Sequence, residues 1–467
     1  MITRALISFA IPALSGFFLV DALFKKQAED FFWALFKICL AVGAGFGMSS
    51  ALFFIWLAAL GSSGAKFVSF AVLELVFLII LWAAWRPVMK NTSRPLSTGR
   101  EQRAKFDIIS LVFCGILILS ITDIVILSVA NPHGCWDSWA IWNLRARFIF
   151  RAGQYWTDAF STHLSWSNTD YPLLVPLFVA RCWKYISYES VVMPILTASF
   201  FFMAIIGVII ASLSMLYGKQ RASLAGLVLL GTPFFIIHSA SQYADIPLAF
   251  YILTTLVLLC MYDRNQKNTG LLFLAGLLSG FAAWTKNEGA LFLAGAVIGQ
   301  FFAIVPKNGW KPFLARMAIF FKGALPMLLI LAYYKLRLAP RGYLFAADRP
   351  VSAIVEGIVN PHRWLLIAGE FCKAGVSFGR WPILFLPVLI LSLIFFGIRI
   401  NPEDKSNVIG SATSLAVMLF GYYFISLITP YDLTWQLSVT LNRLFLQIWP
   451  SVIFVFFQLT ALPEKNV

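Results

Sequence analysis

Charge is what this chain has least of: only 12% of its 467 residues are Asp, Glu, Lys or Arg, while 60% are hydrophobic. A soluble domain carries roughly a quarter charged residues, so an ordinary water-facing fold is excluded. Histidine is scarce too, with His133, His163, His238 and His362 the only four, and none at metal-ligand spacing to another. The six cysteines (Cys39, Cys114, Cys135, Cys182, Cys260, Cys372) form no CxxC, which removes support for a zinc ribbon or a redox motif. Cys135 and Cys182 would pair only if both faced an oxidising compartment, and unpaired apolar cysteines are the preferred reading. GxGxxG, Walker, GxSxG and HExxH patterns are all missing, so nucleotide, serine-hydrolase and zinc-protease readings have nothing to stand on. No internal repeat is visible, which counts against a transporter built from repeated halves.

What is present is apolar sequence in long runs, with mean hydropathy +0.82. Runs of about 20 apolar residues cross a ~30 Å hydrocarbon layer as helices. Thirteen such spans are expected: 4–24, 33–60, 66–85, 107–130, 190–217, 222–240, 246–262, 270–285, 289–305, 313–338, 381–399, 409–428 and 443–461. The first is read as a span, not a removed signal. The fold class is therefore an all-α polytopic membrane protein. The net charge of +15 sits in short loops, where it sets orientation and does not indicate nucleic acid. The strongest orientation signal is RPVMKNTSRPLSTGREQRAK (86–105), with six basic residues against one acid, which belongs on the cytoplasmic side. The span 107–130 then delivers the following loop to the outer face. The short apolar segment 171–187, with Pro172 and Pro176, is expected to lie in the interface or re-enter, because a full crossing would place GKQR and KNGWK outside.

The loop 131–189 is the longest polar, tryptophan-rich interruption, and function is sought there first. WDSWAIWNLRARFIFR (136–151) reads as an amphipathic helix on the membrane, with Asn143, Arg147 and Arg151 recurring every four residues and Trp139, Trp142, Ile149 and Phe150 giving apolar surface. Asp137 is the candidate general base and the neighbouring arginines are candidate phosphate clamps. Asp170 sits where it would cap the 171–187 helix, Asp245 at the mouth of 246–262, and Lys286 with Glu288 in a tight hairpin. Asp432, Trp435 and Arg443 line the last outer turn, and an arginine just inside a span needs an anionic partner. All these residues are expected at the outer end of the bundle. A second outer loop, 339–380, holds Arg341, Asp348, Arg349, Glu356, His362 and Arg380, and is expected to cover the site.

Taken in order, WDSWAIWNLRAR, DYPLLVPL, YADIPLAFY, AWTKNEGALF and DLTWQLSVTLNRLFLQIWP resemble the GT-C superfamily of integral-membrane glycosyltransferases. The nearest likeness is to bacterial relatives of protein mannosyltransferases and lipid A aminoarabinose transferases. The resemblance covers 107–462, leaving 1–106 as a three-span N-terminal extension with its basic loop. It implies juxtamembrane helices in the first outer loop and a sugar donor carried on polyprenyl phosphate. It also implies a catalytic aspartate at Asp137, further acids at Asp170 and Asp245, and the hairpin pair Thr285–Lys286. The chain departs from the family pattern at Ser138, where a second acid is common, at Tyr171, where lipid A modifiers carry lysine, and at Ile246, which separates Asp245 from its proline. Donor-phosphate binding is accordingly expected at Arg145, Arg147, Lys286 and Arg443. Trp136, Trp139, Tyr171, Tyr243, Glu288, Asp432 and Trp435 are expected around the substrate. No cofactor or metal residue is fixed by the sequence, and a divalent metal shared by His163, Asp170 and Asp137 is only compatible with it. The expected partners are a polyprenyl-phosphate-linked sugar, a glycan, lipid or protein acceptor and membrane lipids, at the periplasmic face of a bacterial cytoplasmic membrane. A lipid-linked glycan polymerase or ligase with a pyrophosphate donor, and a polyprenyl-lipid flippase, are the competing readings.

Overall fold

A computed structural model describes residues 2–24, 30–61, 66–90, 108–342, 350–380 and 385–460. The basic loop 91–107 and, in the second outer loop, Asp348 and Arg349 lie outside the described residues. The helices run α1 (Ile2–Leu23), α2 (Phe31–Leu60), α3 (Phe67–Lys90), α4 (Ile108–Ala130), α5 (Asn143–Arg151), α6 (Leu174–Ile186), α7 (Val192–Tyr217), α8 (Lys219–Leu230) and α9 (Pro233–Ala240). They continue as α10 (Asp245–Arg264), α11 (Thr269–Thr285), α12 (Asn287–Asn308), α13 (Trp310–Arg337), α14 (Val351–Val359), α15 (Pro361–Ser377), α16 (Phe385–Phe396), α17 (Lys405–Leu427) and α18 (Leu433–Leu459). A single bridge between Ile398 and Thr460 is the only β pairing among the described residues. The protein is an all-α, polytopic membrane protein.

Ten of these helices are long and apolar enough to cross a membrane, and α8 with α9, bent by 68°, makes an eleventh crossing if the pair is one span. The remaining two expected spans correspond to shorter apolar helices, α11 and α16. The bend between α8 and α9 falls at Gly231-Thr232-Pro233, where proline opens the second helix and cannot continue the first. The axis of the bundle is α10, buried from Asp245 to Met261. It packs against α2, α7, α11, α17 and α18. By contrast, α3 and α4 stand at the edge with rows of exposed Ile, Leu and Val, the surface a helix offers to lipid.

Close helix contacts come from small residues, as expected where no hydrophobic effect drives association. On α11 a Cβ at Gly276 would lie 1.8 Å from the Phe320 carbonyl oxygen, and on α13 a Cβ at Gly323 would lie 2.0 Å from the Phe273 carbonyl oxygen. The two glycines thus let α11 and α13 meet backbone to backbone.

The N-terminal helices are built into the bundle. α2 packs on α6 and α7, and α1 packs on α6. Glu74 of α3 is sealed in this contact: it binds Arg181 of α6 through both carboxylate oxygens at 2.9 and 2.7 Å. Ser49 and Tyr185 each donate to the same carboxylate at 2.6 Å. Arg181 also donates to the Ser8 carbonyl at 2.6 Å. The 171–187 segment is therefore a 13-residue helix packed inside protein, too short to span.

Between α4 and α6 the chain makes a π-helical turn, Ser138–Trp142, then α5 and two 3-10 turns. The expected helix over 136–151 is present, with the π-helical turn inside it, but much of its apolar face is turned into protein and not laid on the membrane. Trp142 and Ile149 are buried, and only Trp136, Trp139 and Arg151 of the group stand clear in solvent or lipid. At the C-terminal end of α10, Arg264 pairs with Asp404 and Arg316 with Asp263, so that end is held by matched charges.

Candidate active site

The loop between α4 and α6 is tied down onto the turn between α9 and α10. The Cys135 amide donates to the Ser241 carbonyl at 3.3 Å, and the Asp137 amide donates to the Tyr243 hydroxyl at 3.3 Å. Asn143 donates to Gln242 at 2.9 Å, and Gln242 donates to the Pro132 carbonyl at 3.1 Å. The turn requires glycine at 134: φ is +72°, and a Cβ would lie 2.5 Å from the Ser241 carbonyl oxygen. This docking sets Asp137, from the first loop, beside Asp245, at the first turn of α10.

Arg443 of α18 joins them. Its Nη2 lies 2.7 Å from Asp137 Oδ2 and 2.9 Å from Asp245 Oδ2, and Nε reaches Asp245 at 3.3 Å. Its guanidinium also lies over the Tyr243 ring, 4.6 Å from the centroid. Asp245 has two further donors, Lys286 Nζ at 2.9 Å and Gln447 Nε2 at 2.6 Å. Lys286 continues the row to Glu288 at 3.1 Å, and the other Glu288 oxygen is buried with no partner among the described residues. The row is Asp137–Arg443–Asp245–Lys286–Glu288, three carboxylates against two cations. Asp245 is fully buried, whereas the Asp137 side chain is 17% exposed. Asp137 Oδ1 has no hydrogen-bond partner among the described residues. Burial, with the Asp137 charge beside it, pushes the Tyr243 hydroxyl up to about 12, so it stays protonated at neutral pH.

A second cluster adjoins the row. Asp170 Oδ2 accepts from Asn287 at 2.9 Å, and Lys335 donates to Asn287 Oδ1 at 2.8 Å. Tyr334 donates to the Thr169 and Tyr171 carbonyls at 2.7 and 3.0 Å. Tyr171 stacks on Trp142 at 5.5 Å with a 9° tilt, and Lys286 lies 5.7 Å from the Tyr171 ring centroid. Tyr171 thus touches both clusters.

Several expected roles change. Asp170 caps no helix, since α6 begins at Leu174 with Leu173 before it and no side-chain cap. Arg145 is buried and donates to the backbone carbonyls of Tyr171 and Asn168, both at 2.7 Å, and Ser167 at 3.3 Å. Burial also pushes its guanidinium below the usual value. It clasps the 167–171 loop and has no face open to a phosphate. Arg147 stands apart from the row, bound to Glu189 at 3.5 Å and to the His133 ring at 3.3 Å. It lines a shallow groove of about 450 Å³ with Asn131, His133 and Trp139. Trp136 and Trp139 meet edge to face at 4.4 Å and are exposed. Asp432 caps α18 by accepting from the Trp435 amide at 2.8 Å, and Trp435 is exposed. Neither joins the row. Cys135 and Cys182 are unpaired. Among the described residues no group of three or more His, Cys, Asp or Glu is placed to hold a metal, and His163, Asp170 and Asp137 are not brought together as one.

Asn287, Lys335, Tyr334 and Gln447 are site residues that the sequence reading missed. Lys335 had a signal: it is a lysine preceded by two tyrosines at the outer end of an expected span. Gln447 and Asn287 carry no charge and had none.

Residues 170–334 match the family model described as dolichyl-phosphate-mannose-protein mannosyltransferase, a stretch that holds Asp170, Asp245, Lys286 and Glu288. No curated protein and no solved structure matched the chain. The match covers roughly a third of the chain and bears out the resemblance to GT-C membrane glycosyltransferases, and it supports a polytopic membrane glycosyltransferase as the coarse class.

Proposed function

We propose that the chain transfers a sugar from a polyprenyl-phosphate donor to an acceptor hydroxyl, with Asp137 as general base. The observation that carries this reading is the Asp137–Arg443–Asp245 arrangement. It puts a partly exposed carboxylate with one free oxygen beside a guanidinium that a second, buried carboxylate holds in place. In this reading the Asp137 carboxylate serves the acceptor O–H and the Arg443 guanidinium the donor phosphate.

In the proposed step the acceptor hydroxyl gives its proton to Asp137 and its oxygen forms the new bond to the anomeric carbon. The bond from that carbon to the phosphate oxygen breaks, its electrons leave with polyprenyl phosphate, and the single displacement inverts the anomeric centre. Negative charge on the leaving oxygen grows along the way, so a fixed cation stabilises the transition state more than the bound donor. Arg443 meets the phosphate in this reading. Lys286, buried behind Asp245, supplies positive charge without direct contact. Asp245 is a positioning residue, and so is Arg145, which fixes the loop carrying Asp170 and Tyr171. Glu288 and Tyr171 border the substrate.

The transferase module is taken as 107–462, with α1 to α3 bracing it through Glu74 and Arg181. The charge rule supports an outer, periplasmic active face in a bacterial cytoplasmic membrane. The test is incubation of purified protein with monophosphate-linked and pyrophosphate-linked polyprenyl sugars and an envelope extract as acceptor. Free polyprenyl phosphate, detected by mass spectrometry from monophosphate donors alone, is the expected product. Turnover only of pyrophosphate donors would transfer the assignment to a glycan polymerase or ligase.

A further inference from the structure

The charge row raises a difficulty for the donor. Every cation in it already faces a carboxylate, and the row has one negative charge in excess. A phosphate added to this arrangement meets net repulsion, which the burial of most of the row leaves only weakly screened. One carboxylate must give up its cation. The structure separates the candidates sharply. Asp245 is fully buried and has Arg443, Lys286 and Gln447 around it. Among the described residues Asp137 has only the Arg443 contact on its carboxylate, and it is the more exposed of the two. Its backbone stays anchored by the Tyr243 hydroxyl, and Arg443 stays anchored by Asp245 and the Tyr243 ring, so the side chain alone can leave.

We propose that Arg443 is an anion-exchange point, at which the phosphate of a polyprenyl phosphate displaces the Asp137 carboxylate. The inference rests on the donor reading above and adds a regulation to it. Without donor, the Asp137 side chain is held at Arg443 in an ion pair and is not free to turn toward an acceptor hydroxyl. With donor bound, the phosphate holds Arg443, and Asp137 is released to take the acceptor proton. The base is thereby armed only when a sugar is in place, and the binding order is donor first.

Exchange makes an unusual demand on binding. Removing the Asp137 charge should tighten the binding of polyprenyl phosphate, because the phosphate no longer competes for Arg443. The experiment measures the affinity of polyprenyl monophosphate in detergent for the full chain and for Asp137→Asn, Asp137→Ser and Asp137→Glu, each checked by thermal melting. The two neutral variants should bind about tenfold more tightly, the scale of one charge-assisted contact. Asp137→Glu should stay near the wild-type value, and adding Arg443→Gln should erase the gain. Equal or weaker binding by the neutral variants overturns the exchange and leaves the donor reading standing. No binding by any form, wild type included, overturns the donor reading and the exchange with it. Infrared difference spectra of the unaltered protein give an independent check. Adding polyprenyl phosphate should shift a carboxylate stretching band, and an unchanged carboxylate region overturns the exchange.

Discussion

Two buried ion clusters in this molecule have the same ingredients and opposite design. Around Glu74 and Arg181, one acid meets one base, two hydroxyls and a carbonyl complete the hydrogen bonds, and both side chains are sealed. Around Arg443, three acids share two bases, one Glu288 oxygen is buried without a partner among the described residues, and Asp137 reaches the surface. The first cluster has no capacity left for a ligand, so its use is to fix α6 against α1 and α3. The second is unbalanced and open at one end, which suits a site completed by substrate. Buried charge alone does not mark function. Charge imbalance with a route to solvent is the better sign.

The comparison breaks most visibly at the sealed pair. Arg181→Ala leaves Glu74 buried and unpaired, a loss of about 3–5 kcal/mol. Melting in detergent should drop far enough that little folded protein is recovered, whereas Arg181→Met combined with Glu74→Gln should restore much of the yield. At the open cluster, Arg443→Gln should leave a protein that still folds, with turnover lowered by about 10²–10³-fold, the scale for one lost electrostatic donor. If Arg443→Gln instead unfolded the chain while Arg181→Ala did not, the roles assigned to the two clusters would have to be exchanged. Lys335→Ala should remove the cation that holds Asn287 against Asp170. The expected cost is about 1–2 kcal/mol in melting, with a partial fall in turnover. Smallest is Asp432→Ala, which removes only a helix cap: about 1 kcal/mol by melting and unchanged turnover.

The two clusters also differ in how far the sequence announced them. Asp137, Asp245, Lys286, Glu288 and Arg443 stand out because charge is rare here and hydropathy places all five at one end of the bundle. The spans were readable for the same reason. Glu74 and Arg181 drew no attention, since each lies within an apolar run and only tertiary packing shows that they meet. Arg145 was misread because helical spacing puts it on the same polar segment as Arg147, while the 167–171 loop that buries it is folded over by distant contacts. Asn287 and Gln447 are neutral, and their role exists only through Asp170 and Asp245.

The central claim is that Asp137 is the reacting carboxylate of the open cluster. The most direct measurement is single-turnover release of polyprenyl phosphate from a monophosphate-linked sugar donor, wild type beside Asp137→Asn, with melting curves for both. The account predicts similar melting and a rate lower by about 10²–10⁴-fold in the variant, the range for a lost general base. Near-equal rates from two folded proteins would contradict it and remove Asp137 from the chemistry.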